Sequence, residues 1–319
     1  MLNEILARRV IFLVGKGGAG KTAVSGGFGL LAAGRGLRTL VMECDRRAPL
    51  ASAFGVKPSY EPVEAGANLF AMVLDGRHAL EEYLRIVVPA RMILRAVFAS
   101  RLYRFFVQAA PGLRELMMLG KILYEVERKP ARQPHWDFII VDAPASGQAL
   151  SWLRMAEAAR ETFGGAIAGR EAHNIARMLH DQATCAIIEV TTADSLAISE
   201  LLETQGALRE MRLAPAAIVF NRLNIAGFDA SDVSLLERLA EPHRDLRRAG
   251  HLAEIARTQL SQSALALRAL KRVREETRLP VIEVAEHPGL GRAALMNAIA
   301  SSLAAMLDAE GAHRAATRG

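Results

Sequence analysis

Residues 15–22 have the types and the spacing of a loop that binds phosphate. They read Gly15-Lys-Gly-Gly-Ala-Gly-Lys-Thr22, which satisfies the pattern G-x-x-x-x-G-K-[ST] between an apolar run and a helical segment. The glycines let backbone amides turn toward phosphate oxygens, Lys21 supplies a cation for the β- and γ-phosphates, and the Thr22 hydroxyl can ligate Mg²⁺. The predicted nucleotide-binding residues are Gly15, Gly17, Gly18, Ala19, Gly20, Lys21, Thr22 and Ala23.

Two aspartates follow apolar runs and are candidates for the chemistry around that phosphate. The position of Asp45, after the run that ends at Cys44, suits a residue that orients an attacking water. Asp142 closes the run Phe-Ile-Ile-Val and precedes a Pro- and Gly-containing turn, which is typical of an aspartate that holds Mg²⁺ directly or through water. A helix cap or an ordinary turn remains the alternative for both.

The elements that must position these residues alternate between short β-branched runs and longer helical stretches. This alternation predicts an α/β fold with a mostly parallel sheet flanked by helices. The predicted strands are Val10–Val14, Thr39–Cys44, Leu69–Leu74, Phe138–Asp142, Cys185–Thr191, Ala216–Phe220 and Val281–Ala285, and helices are predicted over Ala23–Ala33 and from Arg292 to about Leu307.

Residues 76–132 interrupt the alternation and read as helices only, which predicts a helical insertion within a single domain of residues 1–319. From Tyr83 to Arg114 there is no acidic residue, whereas arginines are interleaved with apolar side chains such as Met92, Phe98 and Phe105. We predict that residues 84–118 form an adaptable apolar surface with a cationic rim, suited to a hydrophobic or membrane-associated client protein. Ordinary packing onto the core is the alternative.

The amino-acid composition excludes several classes of protein. Of 319 residues, 51% are hydrophobic and 23% charged, which excludes a disordered or collagen-like chain. The two cysteines, Cys44 and Cys185, are too few for a disulfide framework and too far apart for a Cys-x-x-Cys pair, so we expect a reducing, cytoplasmic location. Neither a secretory signal nor a transmembrane segment is expected, and peripheral attachment to a membrane stays open. The net charge of +6 is too small to predict nucleic-acid binding.

Lys16 extends the phosphate-binding motif to a longer pattern, which resembles that of one class of ATPases. The pattern Lys-Gly-Gly-x-Gly-Lys-Thr resembles the deviant phosphate loop of the ATPases that include ParA, MinD, the nitrogenase iron protein and ArsA. In that class the early lysine reaches across a dimer interface to the partner's nucleotide. The resemblance therefore implies a catalytic role for Lys16 in a homodimer or a pair of paralogues.

Other segments are similar to the ArsA family in particular, over about residues 8–310. Asp142-Ala-Pro-Ala-Ser-Gly-Gln-Ala-Leu resembles its switch D-T-A-P-T-G-H-T-L, and Ala110-Pro-Gly-Leu-Arg-Glu-Leu resembles its P-G-x-x-E helix start. The resemblance implies a P-loop NTPase that hydrolyses ATP to ADP and phosphate with Mg²⁺. It assigns catalysis to Lys16, Lys21 and Asp45, the metal to Thr22, Asp45 and Asp142, and the adenine to Asn221.

The chain also departs from that family. Its first switch usually reads D-P-A-H-S, where this chain has Asp45-Arg46-Arg47-Ala48-Pro49, and the second switch has Gln148 in place of a histidine. No cysteine trio for arsenite is present. Two alternatives to an ATPase that captures a client stay open: a positioning ATPase similar to ParA or MinD, and a nucleotide-gated scaffold with little hydrolysis.

Overall fold

The computed structural model describes residues 1–45, 47–87, 98, 100–101, 112–129, 135–163, 167–240 and 247–316. The strands are β1 Val10–Val14, β2 Thr39–Glu43, β3 Val63–Gly66, β4 Leu69–Val73, β5 Phe138–Asp142, β6 Cys185–Thr191, β7 Pro215–Leu223 and β8 Val281–Ala285. The helices are α1 Leu2–Leu6, α2 Lys21–Gly34, α3 Pro49–Ala53, α4 Gly76–Val87, α5 Leu113–Glu127, α6 Ser146–Phe163, α7 Ile167–His180, α8 Ser195–Glu210, α9 Ala230–Ala240, α10 Arg247–Thr277 and α11 Arg292–Ala316.

Among the described residues, eight strands form one sheet in the order β3-β4-β2-β5-β1-β6-β7-β8. Neighbouring strands are parallel except β3 and β4, which are antiparallel, so the predicted mostly parallel α/β fold is confirmed. Asp142 pairs in register with Leu13 on one side and with Glu43 on the other. The carboxyl ends of β1, β2 and β5 therefore meet at one edge, where parallel sheets place their ligands.

The two faces of the sheet pack into separate apolar cores because side chains alternate along a strand. From β1, Phe12 enters one core with Trp136, and Leu13 enters the other with Phe28. Strands covered on both faces consist of apolar side chains almost throughout, which is why they were predictable as continuous runs. Burial of each large apolar side chain contributes about 1.5–3 kcal/mol.

Glycines set how closely α2 approaches α11. A Cβ on Gly26 would collide with Met296, and one on Gly27 would collide with Ile299. Both glycines thus permit a tight helix pair, and this pair holds α2 in place behind the loop of residues 15–20.

Some elements differ from the prediction. The strand β3 was missed because it is a half-exposed edge strand that contains Glu64 and Gly66, residues that strands disfavour. The described parts of 76–132 contain the helices α4 and α5, and the helical insertion with these bounds stays a prediction. Residues 88–97, 99, 102–111 and 130–134 lie outside the described residues. No helix in the described part of the chain combines the length and apolar character that a membrane span requires.

Candidate functional site

The loop of residues 15–20 joins β1 to α2 and requires glycine at the positions that the motif specifies. Gly18 and Gly20 have φ of +88° and +92°, in the left-handed region that favours glycine. A Cβ on Gly15 would collide with the Val190 carbonyl, and one on Gly20 would collide with the Asn221 amide. The loop is thus held against β6 and β7, with its curl set by glycine.

Lys21, the first residue of α2, folds its side chain back into the loop. Its ammonium donates hydrogen bonds to the carbonyl oxygens of Gly15 at 2.8 Å and Lys16 at 3.2 Å, and the residue is only 8% exposed. Burial lowers the pKa of Lys21, while the carboxylates of Asp142 and Glu200 act in the opposite direction. This places a cation inside the curl of the loop, where the motif predicts phosphate.

Asp142 at the end of β5 is joined to α2 by two hydroxyl groups. Thr22 Oγ1 donates to Oδ2 at 2.7 Å, and Ser25 Oγ donates to Oδ1 at 3.0 Å. Burial raises the pKa of Asp142, and these two hydrogen bonds lower it. Sequence reasoning missed Ser25, which lies one turn after Thr22 on the same face of α2.

This set of oxygen atoms fits Mg²⁺. In the described residues there is no group of three or more His, Cys, Asp and Glu that could hold a metal. Mg²⁺ does not need such a group, because one or two carboxylates together with substrate phosphates and waters satisfy it. Asp142 and Thr22 provide hard oxygen donors beside the phosphate loop, and their role as metal ligands stays a prediction.

Asp45, just beyond β2, is 39% exposed and is bound by Arg47. The Arg47 backbone N–H donates to Oδ1 at 2.9 Å, Nη2 donates to Oδ2 at 3.0 Å, and Nε lies 3.2 Å from both oxygens. These hydrogen bonds lower the pKa of Asp45. Asp45 in turn raises the pKa of Asp142, so the two carboxylates are electrostatic neighbours.

Glu43, the last residue of β2, was not predicted. Its buried carboxylate accepts hydrogen bonds from the backbone N–H groups of Leu50 at 2.8 Å and Ala51 at 3.0 Å. Burial raises the pKa of Glu43, whereas these two bonds lower it. The carboxylate thus caps α3 and fixes the segment that follows Asp45. A glutamate at the end of an otherwise apolar run was the available signal.

Asn221 in β7 contacts the phosphate loop at Ala19. The residue is buried, and its Nδ2 donates to the carbonyl oxygen of Ala19 at 2.8 Å. One N–H of the amide is therefore used by the loop, which leaves the second N–H and Oδ1 as the donor and acceptor that Asn221 could offer to adenine. Its role in binding adenine stays a prediction.

The second switch starts in contact with the phosphate loop. The Ser146 N–H donates to the Gly15 carbonyl at 3.1 Å, and its hydroxyl donates to Glu200 on α8. Glu200 also opposes the lowering of the Lys21 pKa by burial, so α8 carries one carboxylate that bonds Ser146 and acts on the lysine of the loop.

Of residues 84–118, which are predicted to bind a client, the structure describes 84–87, 98, 100–101 and 112–118. Lys121 on α5 is buried and pairs with Glu82 on α4 at 2.9 Å, which locks the two helices together. Helices α4, α5 and α7 border a cavity of about 250 Å³ whose lining includes Tyr83, Ile86 and Tyr124. Phe98 packs against the apolar core. The guanidinium carbon of Arg85 lies over its ring, 5.6 Å from the centroid of the Phe98 ring. Met92 and Phe105 lie outside the described residues.

Comparisons of the sequence with known proteins find a family and several relatives. A family model described as an anion-transporting ATPase, ArsA ATPase, matches residues 8–172. The chain is 29% identical to ATPase BagA of Mycobacterium tuberculosis over 233 residues, which cover 71% of this chain and 68% of that protein. It is also 28% identical over 149 residues to "Putative arsenical pump-driving ATPase 2" of Aquifex aeolicus, covering 46% of this chain and 48% of that protein.

Proposed function

The chain belongs to the ArsA family of anion-transporting ATPases, and from this premise we propose that it hydrolyses ATP with Mg²⁺ and couples hydrolysis to the closure of a dimer. The observation that carries the proposal is the hydrogen bond of 2.7 Å between Thr22 Oγ1 and Asp142. It joins the start of α2 to the end of β5 and supports a metal site next to the cation of Lys21.

Each residue of the site has a part in this reaction. The loop amides and Lys21 bind the β- and γ-phosphates, and Asn221 holds the loop and accepts from adenine. Thr22 and Asp142 would hold Mg²⁺, with Asp45 as a further candidate ligand, and the bound metal would supply positive charge against the phosphates. Asp45 orients the attacking water. The products are ADP and phosphate.

A dimer is part of the proposal because of Lys16, the lysine near the start of the phosphate loop. Its side chain is partly exposed, and its only described ionic partner is Asp194. In a dimer of two copies, or of this chain and a paralogue, Lys16 would reach the nucleotide of the partner and stabilise charge on the transferred phosphoryl group.

Residues 84–118 would dock a hydrophobic or membrane-associated client in the closed dimer. The support is the apolar and arginine-rich sequence, together with the cavity between α4, α5 and α7. A cytoplasmic location with peripheral membrane attachment is consistent with this role.

The ATPase is tested by phosphate release from the purified chain with and without Mg²⁺. We expect turnover that requires Mg²⁺, a loss of at least about 100-fold in Asp45→Asn, and loss of nucleotide binding in Lys21→Ala. Arg272→Gln on the exposed face of α10 is the control for loss of one charge. An inactive parent that also fails to bind ATP would refute the proposed function.

The client is tested with a labelled apolar helical peptide of about 20 residues, mixed with the chain in ATP or in ADP. We expect crosslinking in ATP that is lost when Met92, Phe98 and Phe105 are all changed to Ser, with ATP affinity retained. Equal loss of peptide and ATP binding would contradict a separate client surface.

A further inference from the structure

We propose that Arg47 moves from Asp45 to the γ-phosphate when ATP binds, so that one arginine both releases the water-orienting carboxylate and adds a cation to the transferred group. This inference rests on the proposed ATPase function. It assigns a role to the segment in which the chain departs from the usual D-P-A-H-S pattern.

The ion pair between Arg47 and Asp45 has several hydrogen bonds, but the Arg47 guanidinium can readily leave Asp45 for another anion. Arg47 donates four hydrogen bonds to the Asp45 carboxylate, one from its backbone and three from its guanidinium. Its side chain is nevertheless 89% exposed. Exposed ion pairs contribute little to stability because water and salt screen them, so a stronger anion can take the guanidinium away.

The backbone contacts that flank Arg47 do not involve its side chain, so the side chain can move while they persist. The Ala48 N–H donates to the Asp45 carbonyl at 2.9 Å, which closes a tight turn. Immediately beyond it, Glu43 holds the first amides of α3. The Arg47 side chain can therefore change its partner while these flanking backbone hydrogen bonds stay in place.

The turn lies beside the end of the site where the γ-phosphate is expected. Asp45 lies two residues after Glu43, which pairs in register with Asp142, and Asp142 is hydrogen-bonded to Thr22 at the start of α2. A guanidinium held on Asp45 is thus at the same edge of the sheet as the proposed metal site and the phosphate loop. Phosphate is a more highly charged acceptor than a carboxylate and accepts paired hydrogen bonds from a guanidinium.

The exchange would change what Asp45 can do. While Arg47 is bound, both carboxylate oxygens accept from the guanidinium and are poorly placed to accept from water. Once Arg47 has moved, Asp45 orients a water whose oxygen bonds to the γ-phosphorus. The bond from that phosphorus to the bridging oxygen breaks, and its electron pair leaves on ADP. One water proton stays on the released phosphate and the other passes to solvent, while Arg47 remains protonated.

The test compares Arg47→Gln and Arg47→Lys with the parent and with Arg272→Gln, which removes an equivalent charge from an exposed ion pair on α10. Hydrolysis, affinity for a non-hydrolysable ATP analogue and affinity for ADP are measured for each. We expect Arg47→Gln to lower kcat at least about tenfold and to weaken the analogue several-fold, with ADP binding unchanged. Arg47→Lys should recover part of the analogue affinity because it keeps the charge.

Two outcomes would overturn the inference while leaving the ATPase intact. An Arg47→Gln enzyme with the parental rate and the parental preference for the analogue over ADP would make the pair a surface contact only. A faster Arg47→Gln enzyme would show that Arg47 merely blocks Asp45. Failure of the parent to bind or hydrolyse ATP would instead refute the proposed function itself.

Discussion

Lys16 and Asp194 form an ion pair within one chain, with Nζ 3.5 Å from Oδ2. Asp194 is also the N-cap of α8, and its Oδ1 accepts from the Leu196 N–H at 2.7 Å. The lysine that is proposed to reach a partner's nucleotide is therefore held by a residue of its own chain, at the edge of its own phosphate loop. In the proposed dimer, this pair would have to break before Lys16 could act on the partner.

Asp194→Asn should strengthen the ATP-dependent dimer. Asparagine caps helices as well as aspartate does, so α8 keeps its cap while Lys16 loses its ionic partner. Because both side chains are partly exposed, we expect a gain of up to about fivefold in dimer affinity. Sedimentation velocity in a non-hydrolysable ATP analogue measures it. The matched control is Asp229→Asn, an exposed acidic residue that accepts from the first amides of α9. Unchanged dimerisation in Asp194→Asn would mean that the pair does not restrain Lys16.

Glu43→Gln should loosen the segment that carries Asp45. Glutamine has one acceptor oxygen where Glu43 uses two, so one backbone N–H of α3 would lose its partner inside the protein. We expect a loss of about 1–3 kcal/mol of stability and a lower kcat with nucleotide affinity retained. Thermal unfolding and phosphate release measure these effects. Glu64→Gln, on the exposed side of β3, should leave both unchanged, and a Glu43→Gln protein with parental values would rule out the cap.

The fold was predictable from sequence because the central strands are continuous apolar runs and the phosphate motif lies between a strand and a helix. Val10–Val14 and Phe138–Asp142 were placed at their observed bounds for that reason. The edge strand β3 was not predictable, since half of its side chains face solvent and its pairing with β4 supplies the structure that its own sequence does not.

Site residues were predictable from the sequence where they belong to a recognisable motif. They were not predictable where their position depends on contacts between elements that are distant in sequence. The sequence proposed Thr22 and Asp142 as metal ligands, and the structure brings the two side chains within hydrogen-bond distance, while their role at a metal stays a prediction. It did not identify Ser25 or Glu43, whose partners come from other elements. Nor did it indicate that the Asn221 amide binds the Ala19 carbonyl, because 202 positions separate the two residues.

Gly20→Ala should disable the loop. Gly20 has φ of +92°, and an added methyl group would displace the Asn221 amide from Ala19. We expect a loss of ATP binding of at least about tenfold and a lower thermal midpoint, since a left-handed conformation costs a non-glycine residue about 1–3 kcal/mol. Gly34→Ala, in the last turn of the helix that Gly20 precedes, meets nothing within 4 Å and should leave ATP binding unchanged. Calorimetric titration with ATP distinguishes the two variants. Equal ATP affinity in Gly20→Ala and the parent would show that the loop tolerates the added methyl group.

Glu189 lies on β6, with 0% of its surface exposed. Its Oε2 accepts from Gln205 Nε2 at 2.9 Å, and in the described part of the chain its Oε1 has no hydrogen-bond partner. Burial raises the pKa of Glu189 to about 8, while Gln205 and Arg209 act against this rise. The carboxyl group is therefore protonated in the folded protein at neutral pH.

This raised pKa predicts that stability falls as the pH rises from about 4.3, the ordinary glutamate value, to about 8. In that range the folded protein keeps a proton that the unfolded chain releases, so the free energy of unfolding decreases by up to about 1.4 kcal/mol per pH unit from this group. Glu189→Gln removes the titration and should gain thermal midpoint over the parent progressively between pH 5.5 and 8. Glu203→Gln, an exposed carboxylate on α8, is the control and should follow the parent. A constant difference between Glu189→Gln and the parent across that range would show that Glu189 does not titrate there.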